Sequence, residues 1–204
     1  MIKNHSSVRL THDFFKRDVI EVAPDLIGKI IVRKFDDGTE IRTRITEDEA
    51  YTEKGDLGCN APKGRSPKTE MFYHEGGSIF IYICYGVHYM LNFTTGLGEY
   101  KQGILIRSVE GVFGPGKVSK FLGIDKSFSG EDTATSKRIW LEDDGTKLTY
   151  QAGPRINIDY AEEPWLTIPW RFFTAEVAKH GAKISTKARQ ALRAKEAQSK
   201  DKEN

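Results

Sequence analysis

The sequence predicts an α+β fold: one domain with a curved, mainly antiparallel, open-barrel-like sheet flanked by helices. Three observations predict it. Apolar residues share one face over residues 41–45, and aliphatic and aromatic residues alternate over 78–85, both patterns of strands. Short turn signals, Asp36-Asp37-Gly38 and Tyr85-Gly86, return those strands antiparallel to their neighbours. A length of 204 residues without a Pro- or Ser-rich linker suits one core rather than two.

In chain order, Thr11 is placed to cap a first helix running through Phe14, Val19 and Ile20 to about Pro24. Gly28 opens a strand over residues 29–35, and the return strand over 39–51 carries Glu49 near its end. A long loop follows, residues 52–68, rich in Gly, Pro and basic side chains. Loops of that kind beside a rigid sheet often carry function. The strand over 78–85 is turned back by Gly86 into a strand over 88–95, which puts Tyr85 at a hairpin tip. A further strand covers 103–109, and Pro115 starts a short helix that Gly123 stops. After a polar stretch come a strand at 139–141, the segment Gly153-Pro154-Arg155-Ile156, and the aromatic closure Pro169-Trp170-Arg171-Phe172-Phe173. No internal repeat is present.

A hydrophobic fraction of 38% is enough for a globular core, and no apolar run is long enough to span a bilayer. The start, Met1-Ile2-Lys3-Asn4-His5-Ser6, lacks the apolar centre of a secretory signal. Two cysteines, Cys59 and Cys84, supply neither a disulfide framework nor a four-cysteine cluster. The expectation is an intracellular, metal-free protein, and a monomer is expected as its state. A net charge of +2 permits nucleic-acid binding without requiring it. Basic residues gather at Lys63-Gly64-Arg65-Ser66-Pro67-Lys68 and from Lys179 to Lys202. Apolar residues in the second run are too few for a packed helix face, so residues 174–204 are expected to be a solvated tail, partly helical or disordered.

Chemistry gathers at Glu49-Ala50-Tyr51. On this strand the odd positions Ile41, Thr43, Ile45, Glu47, Glu49 and Tyr51 read as the inward row, and Arg42, Arg44, Thr46 and Asp48 as the solvated one. Glu49 then shares a face with Ile41 and Ile45, where an unpaired carboxylate is costly unless it is hydrogen-bonded or sits in a functional cleft. A buried ion pair satisfies the same pattern, so both readings stand on the strand alone.

Several motifs agree in order and spacing: Thr46-Glu47-Asp48-Glu49-Ala50-Tyr51, Met71-Phe72, Phe80-Ile81-Tyr82-Ile83-Cys84-Tyr85-Gly86, Asn92, Ile104-Leu105-Ile106-Arg107, Gly114-Pro115-Gly116-Lys117 and Gly153-Pro154-Arg155-Ile156. Together they resemble the alkyladenine (3-methyladenine) DNA glycosylase family, from about Leu10 to Phe173. The resemblance implies a single glycosylase domain over residues 1–173, acting on double-stranded DNA that contains damaged purines, with no cofactor, metal or membrane. It implies a monofunctional base-excision-repair enzyme that flips an alkylated or deaminated purine out of the duplex and hydrolyses its N-glycosidic bond, leaving an abasic site. It would work in the cytoplasm, at the nucleoid, of a bacterium, or in the nucleus of a eukaryote.

By the same resemblance Glu49 is the general base, Arg107 holds the attacking water and the carboxylate, and the backbone carbonyl of Ile156 is the third contact to that water. Tyr51 and Tyr82 sandwich the flipped base, because π faces attract electron-poor rings. Tyr85 fills the space the nucleotide leaves and Asn92 crowds out normal guanine. Gly116-Lys117 opens a short helix, so backbone amides and the Lys117 side chain are placed to hold a DNA phosphate. Lys63, Arg65 and Lys68 are further candidate phosphate contacts. Each has a plainer alternative: a salt bridge for Arg107, a turn residue for Tyr85, a structural hydrogen bond for Asn92, a solvated surface for the lysines and Arg65. One departure stands out. The family pattern has a histidine against the base where this chain has Asn60, which is shorter and cannot stack. That substitution motivates a second reading, a non-catalytic damaged-DNA binding protein of the same fold, against which intact Glu49 and Arg107 argue.

Overall fold

Strand β3 (Glu40–Thr52) is the spine of the molecule, described here from a computed structural model in which residues 7–61 and 64–200 are described. Its first half pairs with β2 (Ile30–Lys34) across the Asp36-Asp37-Gly38 turn. Its second half lies between β6 (Gln102–Val109) on one edge and β10 (Arg171–Phe173) on the other. The sheet continues through the hairpin of β4 (Ile79–Cys84) and β5 (His88–Thr94), and in the other direction through β8 (Ile139–Asp143) to β1 (Val8–Arg9). Two short strands complete it, β7 (Val112–Phe113) on β6 and β9 (Gln151–Gly153) on β10. Every strand pairing is antiparallel and the order β1-β8-β2-β3-β6-β5-β4 does not close, so the sheet is open. The α+β expectation holds.

The single first helix does not. The structure has α1 (His12–Phe15) and α2 (Val19–Leu26), because Asp18 leaves helical geometry and its carboxylate accepts from the Ile20 amide. Thr11 precedes α1 but makes no side-chain cap bond. Helix α2 puts Val19, Val22, Ala23 and Leu26 on one stripe, buried against β3. Helix α3 (Pro115–Phe121) is placed as the sequence predicts, with Gly123 at φ 60 after its end.

The reading of β3 as one inward and one solvated row is corrected by its pairing with β6, which slips twice, between Ile45 and Glu47 and between Glu47 and Asp48. A one-residue slip exchanges the two faces of a strand. Before it, Ile45 lies opposite Val109 in the core; after it, Asp48 and Ala50 lie opposite Ile106 and Ile104 in the same core. Glu49 and Tyr51 therefore leave the face of Ile41 and Ile45. Arg44, Thr46 and Asp48 are buried rather than solvated, Arg44 because it folds onto Asp144. Asp48 has no exposure and neither of its oxygens has a partner among the described residues. Burial, and then the charges of Glu47 and Glu49, push its carboxyl well above the usual range.

Of the two alternatives for the tail, residues 174–200 take the helical one. They form α4 (Ala175–His180) and α5 (Thr186–Lys200). Val177 is fully buried and Ala188 nearly so, with Ile184, Ala191 and Leu192 partly buried at helical spacing. Few residues make this stripe, and Ala188 and Ala191 are two of them, so the segment reads in sequence as too poor in apolar content. Lys187 and Lys195 tie α5 to the backbone oxygen of Ala161 at 3.2 Å and to Glu163 at 2.8 Å. No described helix is long and apolar enough to cross a membrane.

Candidate active site

On the face of the sheet opposite α2, residues from β3, β4, β5, β6, α3 and the segments around 58–61 and 156–160 surround a cavity of about 810 Å³. That size lies within the range of small-molecule sites, about 300–1,000 Å³. Tyr51, Asn60, Tyr82, Tyr85, Asn92, Arg107, Lys117 and Ile156 all line it. Eight of the twelve candidates thus converge on one space, although they span more than a hundred residues of chain.

Glu49 lies immediately behind that wall, with no solvent exposure. Its Oε2 accepts from the Tyr51 hydroxyl at 2.7 Å and from Arg107 Nη1 at 3.2 Å, and its Oε1 accepts from the Ile156 amide at 2.6 Å. All three donors belong to cavity-lining residues. The carboxylate and the cavity therefore share one wall, and three hydrogen bonds replace the water the carboxylate has lost. It is the amide of Ile156, not its carbonyl, that touches Glu49. Arg107 also reaches Glu47 from Nε at 3.3 Å, and Arg171 Nε reaches the same Glu47 oxygen at 2.6 Å. Burial opposes the Arg107 charge, but the fields of Glu49 and Glu47 outweigh it and raise its pKa. The Tyr51 hydroxyl is held well above its ordinary pKa by burial and then by the charge of Glu49, so it stays a donor.

Tyr82 projects from β4 into the cavity and is 38% exposed. Asn92 faces it from β5, its amide nitrogen committed to the carbonyls of Met90 at 2.9 Å and Phe80 at 3.2 Å. The structural bond foreseen as an alternative is present, and the cavity contact with it. Tyr85 stands at the β4–β5 tip with φ 51, followed by Gly86 at φ 73, and is 91% exposed. A left-handed tyrosine with almost no contacts is unusual for a large side chain. Lys117 is exposed at the rim.

Two of the remaining basic candidates, Arg65 and Lys68, lie elsewhere. Arg65 is not in the cavity lining; it is bonded through Nε to Glu70 at 2.9 Å and stacked on Tyr73, and this bond helps hold the Glu70 carboxyl at about 2. Lys68 is exposed and away from the lining, and Lys63 lies outside the described residues.

Sequence reasoning missed the residues that support this wall. Arg155 is fully buried, bonded to Asp56 through both terminal nitrogens at 2.7 Å and to the Ala50 carbonyl at 3.0 Å. Asp56 also takes the Gly58 amide at 2.8 Å, fixing the turn that leads to Asn60. A Cβ at Gly58 would lie 2.5 Å from Arg155 Nη2, so the close approach requires glycine. Tyr160 lines the cavity and closes onto this turn, its hydroxyl donating to the Gly58 carbonyl at 2.7 Å. Burial pushes that hydroxyl up to about 12. Apart from the GPRI motif containing Arg155, no local pattern marks these partners.

An aromatic cavity backed by a hydrogen-bonded carboxylate suits hydrolysis at a group attached to a flat ring, and comparison with known proteins gives that class a family. The family described as Methylpurine-DNA glycosylase (MPG) matches residues 13–114 and 111–178. A protein of Natranaerobius thermophilus named "Putative 3-methyladenine DNA glycosylase" is 36% identical over 81% of this chain and 95% of its own length. Proteins of the same name from Psychrobacter cryohalolentis and Methanocella arvoryzae are 38% and 33% identical, covering 75% and 80% of this chain and 87% and 91% of their own lengths. The chain belongs to the methylpurine-DNA glycosylase family, monofunctional hydrolases of N-glycosyl bonds in DNA repair.

Proposed function

We propose that this protein flips alkylated purines, 3-methyladenine among them, out of duplex DNA into the cavity and hydrolyses the bond between the base and C1′. The observation that carries the proposal is the shared wall: every donor hydrogen-bonded to Glu49 belongs to a residue that also lines the cavity. In this reading the Arg107 contact, the longest of the three, is where a water enters beside Glu49. The C1′–N bond breaks and its electron pair leaves with the base. Positive charge on the sugar is stabilised by the carboxylate, water oxygen bonds to C1′, and the water proton passes to Glu49. A cationic methylated purine departs neutral, so one carboxylate is sufficient. A neutral base such as hypoxanthine takes up a proton as it leaves, and activity on it depends on that step.

Tyr51 and Tyr82 are the ring walls, Asn92 faces the base edge against normal guanine, and the Ile156 carbonyl is a further contact for the water. Tyr85 enters the duplex from its exposed tip, and Lys117 meets a phosphate at the rim. Arg65, Lys68 and Lys63 add sequence-independent attraction for the DNA backbone, where a monomer binds the nucleoid of a bacterium or the chromatin of a nucleus. Asn60 at the mouth replaces a stacking group by a short amide and narrows the set of neutral lesions accepted.

The test is single-turnover incubation with duplexes carrying one 7-methylguanine, 3-methyladenine, hypoxanthine or ethenoadenine. The expected result is free base, abasic sites and no strand cleavage, fastest with the methylated purines. Tight binding of a lesion without release would favour the non-catalytic reading. Asn60→His is expected to improve the neutral lesions relative to the methylated ones, and an unchanged ranking would contradict the role of Asn60.

A further inference from the structure

Directly behind the cavity wall the fold stacks a cation. The Arg155 guanidinium lies 4.6 Å from the centre of the Tyr51 ring and 5.4 Å from that of Trp170, and Trp165 follows Trp170 at 5.4 Å. Arg155 has no exposure and does not line the cavity, so Tyr51 separates it from anything bound there. Asp56 takes both terminal nitrogens along the guanidinium edge, which leaves the flat face for the ring.

A charge fixed against one face of a ring acts on whatever stacks against the other face. When the bond to C1′ breaks, its electron pair moves onto the base, so a cationic base becomes neutral and a neutral base becomes more negative until it takes up its proton. A positive charge behind Tyr51 therefore favours the departing base over the bound one. The same charge opposes the binding of a base that is already positive.

Resting on the reading of Tyr51 as the wall of the base site, we propose that Arg155, acting through the Tyr51 ring, speeds departure of the base and weakens the hold on cationic purines. Arg155 is thus a supporting residue for the chemical step and a determinant of the balance between charged and neutral lesions. Asp56 tempers it, since its carboxylate offsets part of the field.

Two changes at this pair carry opposite expectations. Asp56→Asn leaves the arginine uncompensated; Asp56→Asn with Arg155→Gln removes both charges. Dissociation constants and single-turnover release are measured with duplexes carrying 7-methylguanine, which is cationic, and hypoxanthine, which is neutral. The double variant is expected to release both bases on the order of tenfold more slowly, as for unit charges about 8 Å apart at an effective dielectric constant of about 20, partly offset by Asp56. It is expected to bind 7-methylguanine more tightly relative to hypoxanthine, and Asp56→Asn less tightly. Arg155→Lys, which keeps the charge without the fork, is expected to hold the wild-type preference, and Asp56→Asn alone carries the test where the double variant does not fold. Parallel losses on both lesions with an unchanged ratio of dissociation constants would show that Arg155 only props the loop, and would overturn the proposal. If the wild type binds both lesions but releases neither, the proposed activity fails while that ratio still decides the role of Arg155.

Discussion

Asp48 gives the sharpest thermodynamic prediction. Its carboxyl faces the core, wholly unexposed, with no hydrogen-bond partner for either oxygen among the described residues, and burial holds its pKa well above the ordinary value. Asp48→Val keeps a small side chain suited to a strand and removes the polar group. A buried neutral carboxyl without partners costs about 1–3 kcal/mol at any pH. A second contribution comes from linkage. The folded state binds the proton more tightly than the unfolded chain, whose carboxyl titrates near about 3.9. Stability is therefore retained below that value and lost as the pH rises above it, by up to about 1.4 kcal/mol per pH unit until the folded carboxyl ionises. Thermal unfolding from pH 4 to 7 should show Asp48→Val more stable than wild type throughout, with a gap that widens as pH rises. Each kcal/mol corresponds to about 2–4 °C for a chain of this size. Asp48→Asn should remove the pH slope while retaining an unpartnered polar group. A variant destabilised by more than about 1 kcal/mol, with no pH dependence in the difference, would mean that Asp48 is satisfied in solution and refute the reasoning.

Three further outcomes follow from the site. Arg107→Leu strands Glu49 without its counter-charge and leaves Glu47 with Arg171 alone, and should cost about 3–5 kcal/mol in denaturant unfolding as well as abolish base release. Gly58→Ala forces Arg155 off Asp56 and should destabilise by about 1–3 kcal/mol, with a larger fractional loss on lesion binding than on undamaged duplex. Tyr85→Ala touches an exposed tip, so stability should stay within about 0.5 kcal/mol. Fluorescence of a reporter base opposite the lesion should show fewer flipped complexes, and unchanged fluorescence would contradict insertion.

The sheet was legible because its turns announce themselves: Asp36-Asp37-Gly38 and Tyr85-Gly86 fix two hairpins, and the register between them follows. The double slip in β3 was not, since Thr46-Glu47-Asp48-Glu49 is polar at every position and offers no alternation to break. For that reason a strict period of two finds the strand but puts Glu49 and Asp48 on the wrong faces. The pairing of Asp56 with Arg155 joins residues 99 apart, a tertiary contact that no local pattern encodes. The docking of α5 rests on alanines and lysine tethers, which in sequence read as a solvated charge run. The candidates Glu49, Tyr51, Tyr82, Asn92 and Arg107 were legible only through the order of several motifs taken together. Taken singly, each fitted an ordinary strand residue.

The account rests on Glu49, and the rate of base release at saturating protein tests it most directly. Single-turnover release from a 3-methyladenine duplex should fall by on the order of a hundredfold or more in Glu49→Gln, while the dissociation constant for the same duplex changes little. Release by Glu49→Gln at the wild-type rate, from a folded protein that binds the lesion normally, would contradict it.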